Sequence, residues 1–188
     1  MIYLFDVVYQ TKTAGPGSRT EVFFAGCSKA ANGNPCKNCF NKKLWYQKNS
    51  IQTTAKELSE HILKNTEGDV CNVTFCGGEP TDQLVNLITV CKLLKNSGRK
   101  TSILVYTYRD MDDLIHDSNY IELLLNIDIL VDKEYNERYR IYDTKSNNWI
   151  KQSIGSCNQR IYFSRNHIVS RYTIDKNGSI YFNKKWVV

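Results

Sequence analysis

The sequence predicts an α/β fold organised around a parallel sheet. Three observations predict it. The middle of the chain alternates strand-like and helix-like runs, a pattern that calls for crossovers between parallel strands. The apolar residues of the helix-like runs recur at helical spacing behind a recognisable start signal. A chain of 188 residues is long enough for one domain with a real core and too short for two generous ones.

The elements follow in order. Residues 2–9 are apolar and β-prone and read as a first strand. Gly15-Pro16-Gly17 then marks a turn, and Glu21–Ala25 reads as a second strand that delivers the chain to Cys27. In the loop that follows, Asn32-Gly33-Asn34-Pro35 makes a further turn. Thr54-Ala55-Lys56-Glu57 is a capping box, and Ala55, Leu58 and Ile62 behind it predict a helix over 55–65. Val70–Phe75 is a strand. A helix over 82–96 places Leu84, Leu87, Ile88, Cys91 and Leu94 on one face, and Gly98 stops it. Ser102–Thr107 is a strand, 111–125 is helical with a break near Asp117-Ser118, and Ile127–Val131 is another strand. Residues 133–157 are polar and read as irregular. Ile168–Ile174 and Ser179–Phe182 flank Asp175-Lys176-Asn177-Gly178, which predicts a terminal hairpin over about 168–183. No linker asks for a second domain, so 1–188 reads as one unit.

Composition narrows the function classes. Hydrophobic content of 41% and charged content of 23% suit a soluble globular protein. The formal charge of +6 reads as a modest excess spread along the chain, a solvated basic surface that does not favour nucleic acid as a partner. No run approaches the ~20 apolar residues of a membrane span. Met1–Asp6 reads as a strand and not as a signal peptide. Seven cysteines without an export signal read as reduced thiols and metal ligands of a cytoplasmic protein.

Chemistry concentrates in two places. Cys27, Cys36 and Cys39 share the loop over 27–41. Three thiolates are one short of a structural zinc site or an ordinary ferredoxin cluster, so one metal position stays open to a ligand. Zinc is the rival, with Cys157 or one of His61, His116 and His167 as a fourth ligand. The second place is Thr74–Pro80, where Gly77 and Gly78 end a strand. Paired glycines let a ligand meet the backbone, and Glu79 adds a charge-assisted contact or braces the loop. A tight turn is the plain alternative. Gly15–Arg19 reads equally as a turn or as a contact to a substrate chain. Cys71, Cys76 and Cys91 read as small buried hydrophobes, and Trp45, Trp149 and Trp186 as packing.

Together, Gly15–Arg19, Phe23-Phe24-Ala25-Gly26-Cys27, Cys36-Lys37-Asn38-Cys39-Phe40-Asn41 with Trp45, and Thr74–Pro80 resemble the radical S-adenosylmethionine activases of glycyl-radical enzymes. Within that group the chain is most similar to the activating proteins of anaerobic ribonucleoside-triphosphate reductase. Asp128–Asp132 and Ser156–Arg160 add to the likeness, which covers about residues 5–162. One departure stands out. The family pattern is Cys-x3-Cys-x2-Cys, whereas eight residues separate Cys27 from Cys36 and Ala31 stands where the second cysteine would fall. A five-residue insertion explains it, since loop closure costs grow slowly with length.

The resemblance implies a partial βα barrel of the radical S-adenosylmethionine type, shorter than eight units. It implies a 4Fe-4S cluster on Cys27, Cys36 and Cys39 whose fourth iron takes S-adenosylmethionine. Reductive cleavage would give a 5′-deoxyadenosyl radical that takes hydrogen from a glycine of the partner reductase subunit, with a flavodoxin-type or similar low-potential protein as electron donor. Gly77, Gly78 and Glu79 would hold the methionine amino group, Thr107 the ribose, and Asp132 and Asn158 would line the same face. Two other readings stand beside it: a radical enzyme acting on a small molecule, like the 7-carboxy-7-deazaguanine synthases, and a zinc-knuckle module binding nucleic acid.

Overall fold

A computed structural model describes residues 1–141, 153–177 and 179–188. Trp149, Gly178 and part of the expected irregular stretch 133–157 lie outside them. The strands are β1 (Ile2–Thr11), β2 (Arg19–Phe24), β3 (Ile51–Thr53), β4 (Val70–Gly77), β5 (Lys100–Tyr106), β6 (Ile129–Asp132), β7 (Arg160–Arg165), β8 (Ile168–Ile174) and β9 (Ile180–Val187). The helices are α1 (Ser28–Ala31), α2 (Ala55–Asn65), α3 (Leu84–Lys95), α4 (Met111–Leu114) and α5 (Ser118–Leu125).

All nine strands join one sheet in the order β3-β1-β2-β4-β5-β6-β7-β8-β9. The expected parallel sheet is its centre, β2-β4-β5-β6, in the register Phe24 beside Gly77 and Val105 beside Leu130. Both flanks are antiparallel. The fold is therefore α/β on a mixed sheet, a correction to the parallel expectation, and β3 and β7 are elements the sequence reading lacked. The terminal hairpin is present as β8 and β9, with β9 running five residues beyond the expected end to Val187.

Local chemistry explains the helices. Thr54 accepts from the Glu57 N–H while the Glu57 carboxylate accepts from the Thr54 N–H at 2.8 Å, so α2 starts with a complete capping box. Asp117 caps α5 and makes the break expected there. Gly98, at φ +80°, closes the turn after α3.

Two apolar clusters lie on opposite faces of the sheet. Alternate strand residues, among them Val22, Phe24, Val73, Phe75 and Val105, pack under α2, α3 and α5. Leu104, Ile129, Val131 and Ile161 face the other way, against Ile141 and Ile154. On that second face the Gly15–Arg19 segment is tied down by Arg19, which is 2% exposed. Its guanidinium donates to Thr74 Oγ1 at 2.7 Å and to the Val73 and Ser102 carbonyls at 2.7 and 2.8 Å. The segment is a bend held in place by its last residue, with Gly17 and Ser18 exposed.

Candidate metal centre

The C-terminal ends of the parallel strands converge at Phe24, Gly77, Tyr106 and Asp132. A cavity of about 260 Å³ opens there. Cys27, Cys36 and Cys39 line it together with Gly77, Gly78, Glu79 and Thr107. Two sequence segments predicted to share a site are thus brought to one place. Asp132 and Asn158 are not among its lining residues.

Backbone hydrogen bonds set the cysteine loop on the strand ends. Gly26 N donates to Leu44 O at 2.8 Å, Cys27 N to Trp45 O at 2.9 Å, Gly78 N to Phe24 O at 2.8 Å and Glu79 N to Gly26 O at 2.8 Å. This close approach is what the paired glycines serve. A Cβ on Gly78 would stand 2.1 Å from Gly26 O, and one on Gly77, already at φ +113°, 2.5 Å from Phe24 N and O. On the side where a Cβ would stand, the room left by these glycines is taken by the chain's own backbone. Asn41 Nδ2 donates to the Gly77 carbonyl at 3.0 Å, joining the loop's far end to the same strand.

The long spacing between Cys27 and Cys36 is absorbed locally. Residues 28–31 form the single turn α1, with Gly33 at φ +77° turning the chain back towards Cys36. Ala30 lines the cavity, whereas Ala31 is exposed on the outer side. Cys36, not position 31, therefore presents the second thiol. Polar contacts fix α1: Ser28 N and Oγ donate to Asp82 at 2.5 and 2.7 Å, and Lys29 pairs with Glu134 at 3.0 Å.

Glu79 is 1% exposed and braces the loop. Its Oε1 accepts from Thr81 N at 3.0 Å, Thr81 Oγ1 at 2.5 Å and Thr107 Oγ1 at 2.8 Å, and its Oε2 from Tyr108 N at 2.9 Å. Burial pushes its carboxyl above the ordinary range, against the pull of those donors. Thr107 lines the cavity with its hydroxyl already given to Glu79. Asp132, fully buried, accepts from Met111 N at 3.0 Å and from the Arg160 guanidinium. Asn158 Nδ2 donates to Glu134 O at 2.8 Å, and its Oδ1 is buried with no partner among the described residues. It supports the Lys133–Tyr135 wall from behind.

All seven cysteines are free thiols. Burial raises the Cys27 thiol and pushes Cys36 up to about 11, with Glu134 adding to the latter. Ligation of such thiols releases protons. Three soft donors on one cavity fit an iron–sulfur cluster with one iron left for another ligand. Among the described residues no group of three or more His, Cys, Asp or Glu could hold one metal ion. None of Cys157, His61, His116 and His167, the expected fourth ligands for zinc, lines the cavity.

Among the lining residues that sequence reasoning did not place at the site are Cys76, Trp45 and Tyr135. Cys76 is half-buried on the cavity wall and is not a core thiol. Trp45 lines it beside its carbonyl's bond to Cys27, and Tyr135 meets the Phe40 ring at 4.6 Å across it. Strand alternation could have found Cys76, since Phe75 faces the helices and its neighbour must face the other way.

Thiols gathered at parallel strand ends define a domain built to carry iron and sulfur. The chain belongs to the 4Fe-4S single cluster domain family, whose model matches residues 13–162. It is similar to the pyruvate formate-lyase-activating enzyme of Clostridium pasteurianum, 34% identical over 122 residues, covering 62% of this chain and 45% of that protein. It is also similar to the enzyme of the same name from Streptococcus mutans serotype c, 30% identical over 143 residues, covering 72% of this chain and 52% of that one. The chain spans about half the length of these curated relatives.

Proposed function

We propose that the chain is a radical S-adenosylmethionine activase that forms a glycyl radical on an anaerobic ribonucleotide reductase. The observation that carries the reading is the meeting of Cys27, Cys36 and Cys39 with Gly77–Glu79 in one cavity. When bound, a 4Fe-4S cluster supplies one electron to the sulfonium of S-adenosylmethionine, whose cleavage yields methionine and the hydrogen-abstracting adenosyl fragment. The three cysteines ligate three irons. The backbone of Gly77–Glu79 meets the methionine amino group, with the Glu79 carboxylate holding that loop in shape. Thr107 borders the ribose. Asp132 and Asn158 support the same face through Arg160 and the Lys133–Tyr135 wall.

We read the sheet as an open, partial barrel, whose gap admits a glycine-bearing loop of the protein substrate. A flavodoxin-type protein supplies the electron, in the reducing cytoplasm that seven free thiols suit. The reductase is favoured by the Ser156–Arg160 segment; a pyruvate formate-lyase is the second reading, favoured by the names of both relatives.

Anaerobic reconstitution with iron and sulfide, followed by reduction with S-adenosylmethionine, tests this. The expected products are methionine and 5′-deoxyadenosine, with a glycyl-radical doublet in electron paramagnetic resonance when the right protein substrate is present. Offering each glycyl-radical protein in turn decides between the two. One tightly bound zinc and no cleavage would refute the activase.

A further inference from the structure

The positive charge of this chain is not spread. Between Glu21 and Glu57 lie Lys29, Lys37, Lys42, Lys43, Lys48 and Lys56 and no carboxylate, which leaves nineteen basic and nineteen acidic residues for the rest. The whole excess of +6 therefore sits on the cysteine loop and its flanks. Lys29 is paired with Glu134 and Lys56 with Glu60; Lys37, Lys42, Lys43 and Lys48 are exposed and make no ion pair among the described residues.

An apolar groove runs beside two of those lysines, Lys42 and Lys43. It measures about 430 Å³ and is floored by Phe5, Val8, Phe23 and Leu44, with Lys42 and Lys43 on one bank and Asp6 as its single carboxylate. Phe40, 71% exposed, stands at its rim. Cys39, Phe40 and Asn41 line this groove and the cluster cavity alike. One short stretch of chain, which includes a thiol of the site, thus borders both the outer groove and the cluster cavity.

We propose that this groove is the docking surface for an acidic, low-potential one-electron carrier protein. The inference rests on the cluster reading given above. Electron transfer slows steeply with distance, so the carrier gains most by docking where the wall is thinnest. Two lysines beside an apolar floor match an acidic rim beside an exposed redox group, and like charge turns basic proteins away. Redox encounters of this kind are small, under about 1,200 Å² in total, and lean on electrostatic steering. In the encounter the carrier loses one electron and the cluster gains it; no bond forms or breaks and no proton moves.

Surface plasmon resonance on the reconstituted protein, with an acidic flavodoxin as probe at low salt, tests the surface apart from turnover. Lys42→Glu with Lys43→Glu should raise the dissociation constant roughly tenfold or more. Lys56→Glu with Lys64→Glu, an equal charge change on the outer side of α2, should leave it within about twofold. Equal weakening by both pairs, or by neither, overturns the proposal, as does tighter binding of a single-stranded oligonucleotide than of flavodoxin. If the first pair does not fold, Val8→Glu, which sets a carboxylate in the floor of the groove, carries the same expectation. Dithionite-driven formation of 5′-deoxyadenosine by the unaltered protein reports on the cluster reading alone, so failure of either idea is seen separately.

Discussion

Replacing Gly78 by alanine should unseat the cysteine loop. The added Cβ would stand 2.1 Å from Gly26 O, 2.7 Å from Gly26 C and 2.8 Å from Leu44 O, all backbone atoms that cannot swing aside. A carbon and a carbonyl oxygen in ordinary contact sit about 3.3 Å apart, so the loop must retreat by roughly 1 Å. That retreat stretches the bonds Glu79 N to Gly26 O and Gly78 N to Phe24 O, both now 2.8 Å. At about 1 kcal/mol for each bond, plus the strain of a forced insertion, the loss is about 2–4 kcal/mol. With a urea slope near 2 kcal/mol/M, the unfolding midpoint should fall by about 1–2 M. Reconstituted iron should fall with it, because Cys27 directly follows the displaced Gly26. Gly33→Ala is the internal control: at φ +77° and with nothing within 4 Å of the added carbon, it should cost only about 1 kcal/mol of left-handed strain. A Gly78→Ala protein that matches Gly33→Ala in stability and keeps its iron, yet loses affinity for S-adenosylmethionine, would refute the reasoning and restore the glycines to the role of clearing a path for a ligand.

Three further outcomes are expected. Cys36→Ala should lose the cluster, read as iron content and as charge-transfer absorption, while Cys76→Ala keeps it; equal loss from both would make Cys76 a ligand. Arg160→Met leaves Asp132 charged and buried without its guanidinium, and denaturation should show a loss of about 3–5 kcal/mol, partly recovered by adding Asp132→Asn; a loss below about 1 kcal/mol would mean that the buried carboxylate finds another partner. Glu57 sits below its ordinary value of 4.5 because it accepts from the Thr54 backbone and hydroxyl. A depressed carboxylate stabilises above its unfolded value and loses that contribution as pH falls through the folded one. The stability gap between the wild type and Glu57→Gln should thus be widest near neutral pH and close in acid, and a pH-independent gap would contradict the capping box.

What the sequence made legible was local. A capping box, a helical apolar stripe and a stopping glycine each involve residues within a few positions of one another, and α2, α3 and the turn at Gly98 follow from them. What it hid was long-range. β7 begins with Arg160, whose partners Asp132, Asp112 and Asp110 lie 28, 48 and 50 residues away along the chain. β3 has three residues and exists only because β1 pairs with it. Glu79 is an instance within the site: after two glycines it reads equally as a ligand contact or as a brace, and it is the donors of Thr81 and of the distant Thr107 and Tyr108 that make the brace visible. The clustering of charge was legible throughout but vanishes in a whole-chain total; it needs the acidic residues to be located as well as counted.

The unusual spacing of the cysteines bears on how such a site is held. If the distance along the chain fixed the thiols, five extra residues would spoil the arrangement. Here both ends of the loop are anchored independently of its length: Cys27 through its backbone to Trp45 and through Ser28 to Asp82, and the Cys39 end through Asn41 to Gly77. Between these anchors the added residues wind into α1 and turn at Gly33, with Ala31 facing outward and nothing packed on Gly33. The anchors, more than the spacing, place the thiols, and they are the groups to which the site is most sensitive. The same economy explains why the surface beside Cys39 stays open: Asn41 ties the chain inward at one point, and the residues on either side, Phe40 and Lys42, are left facing solvent.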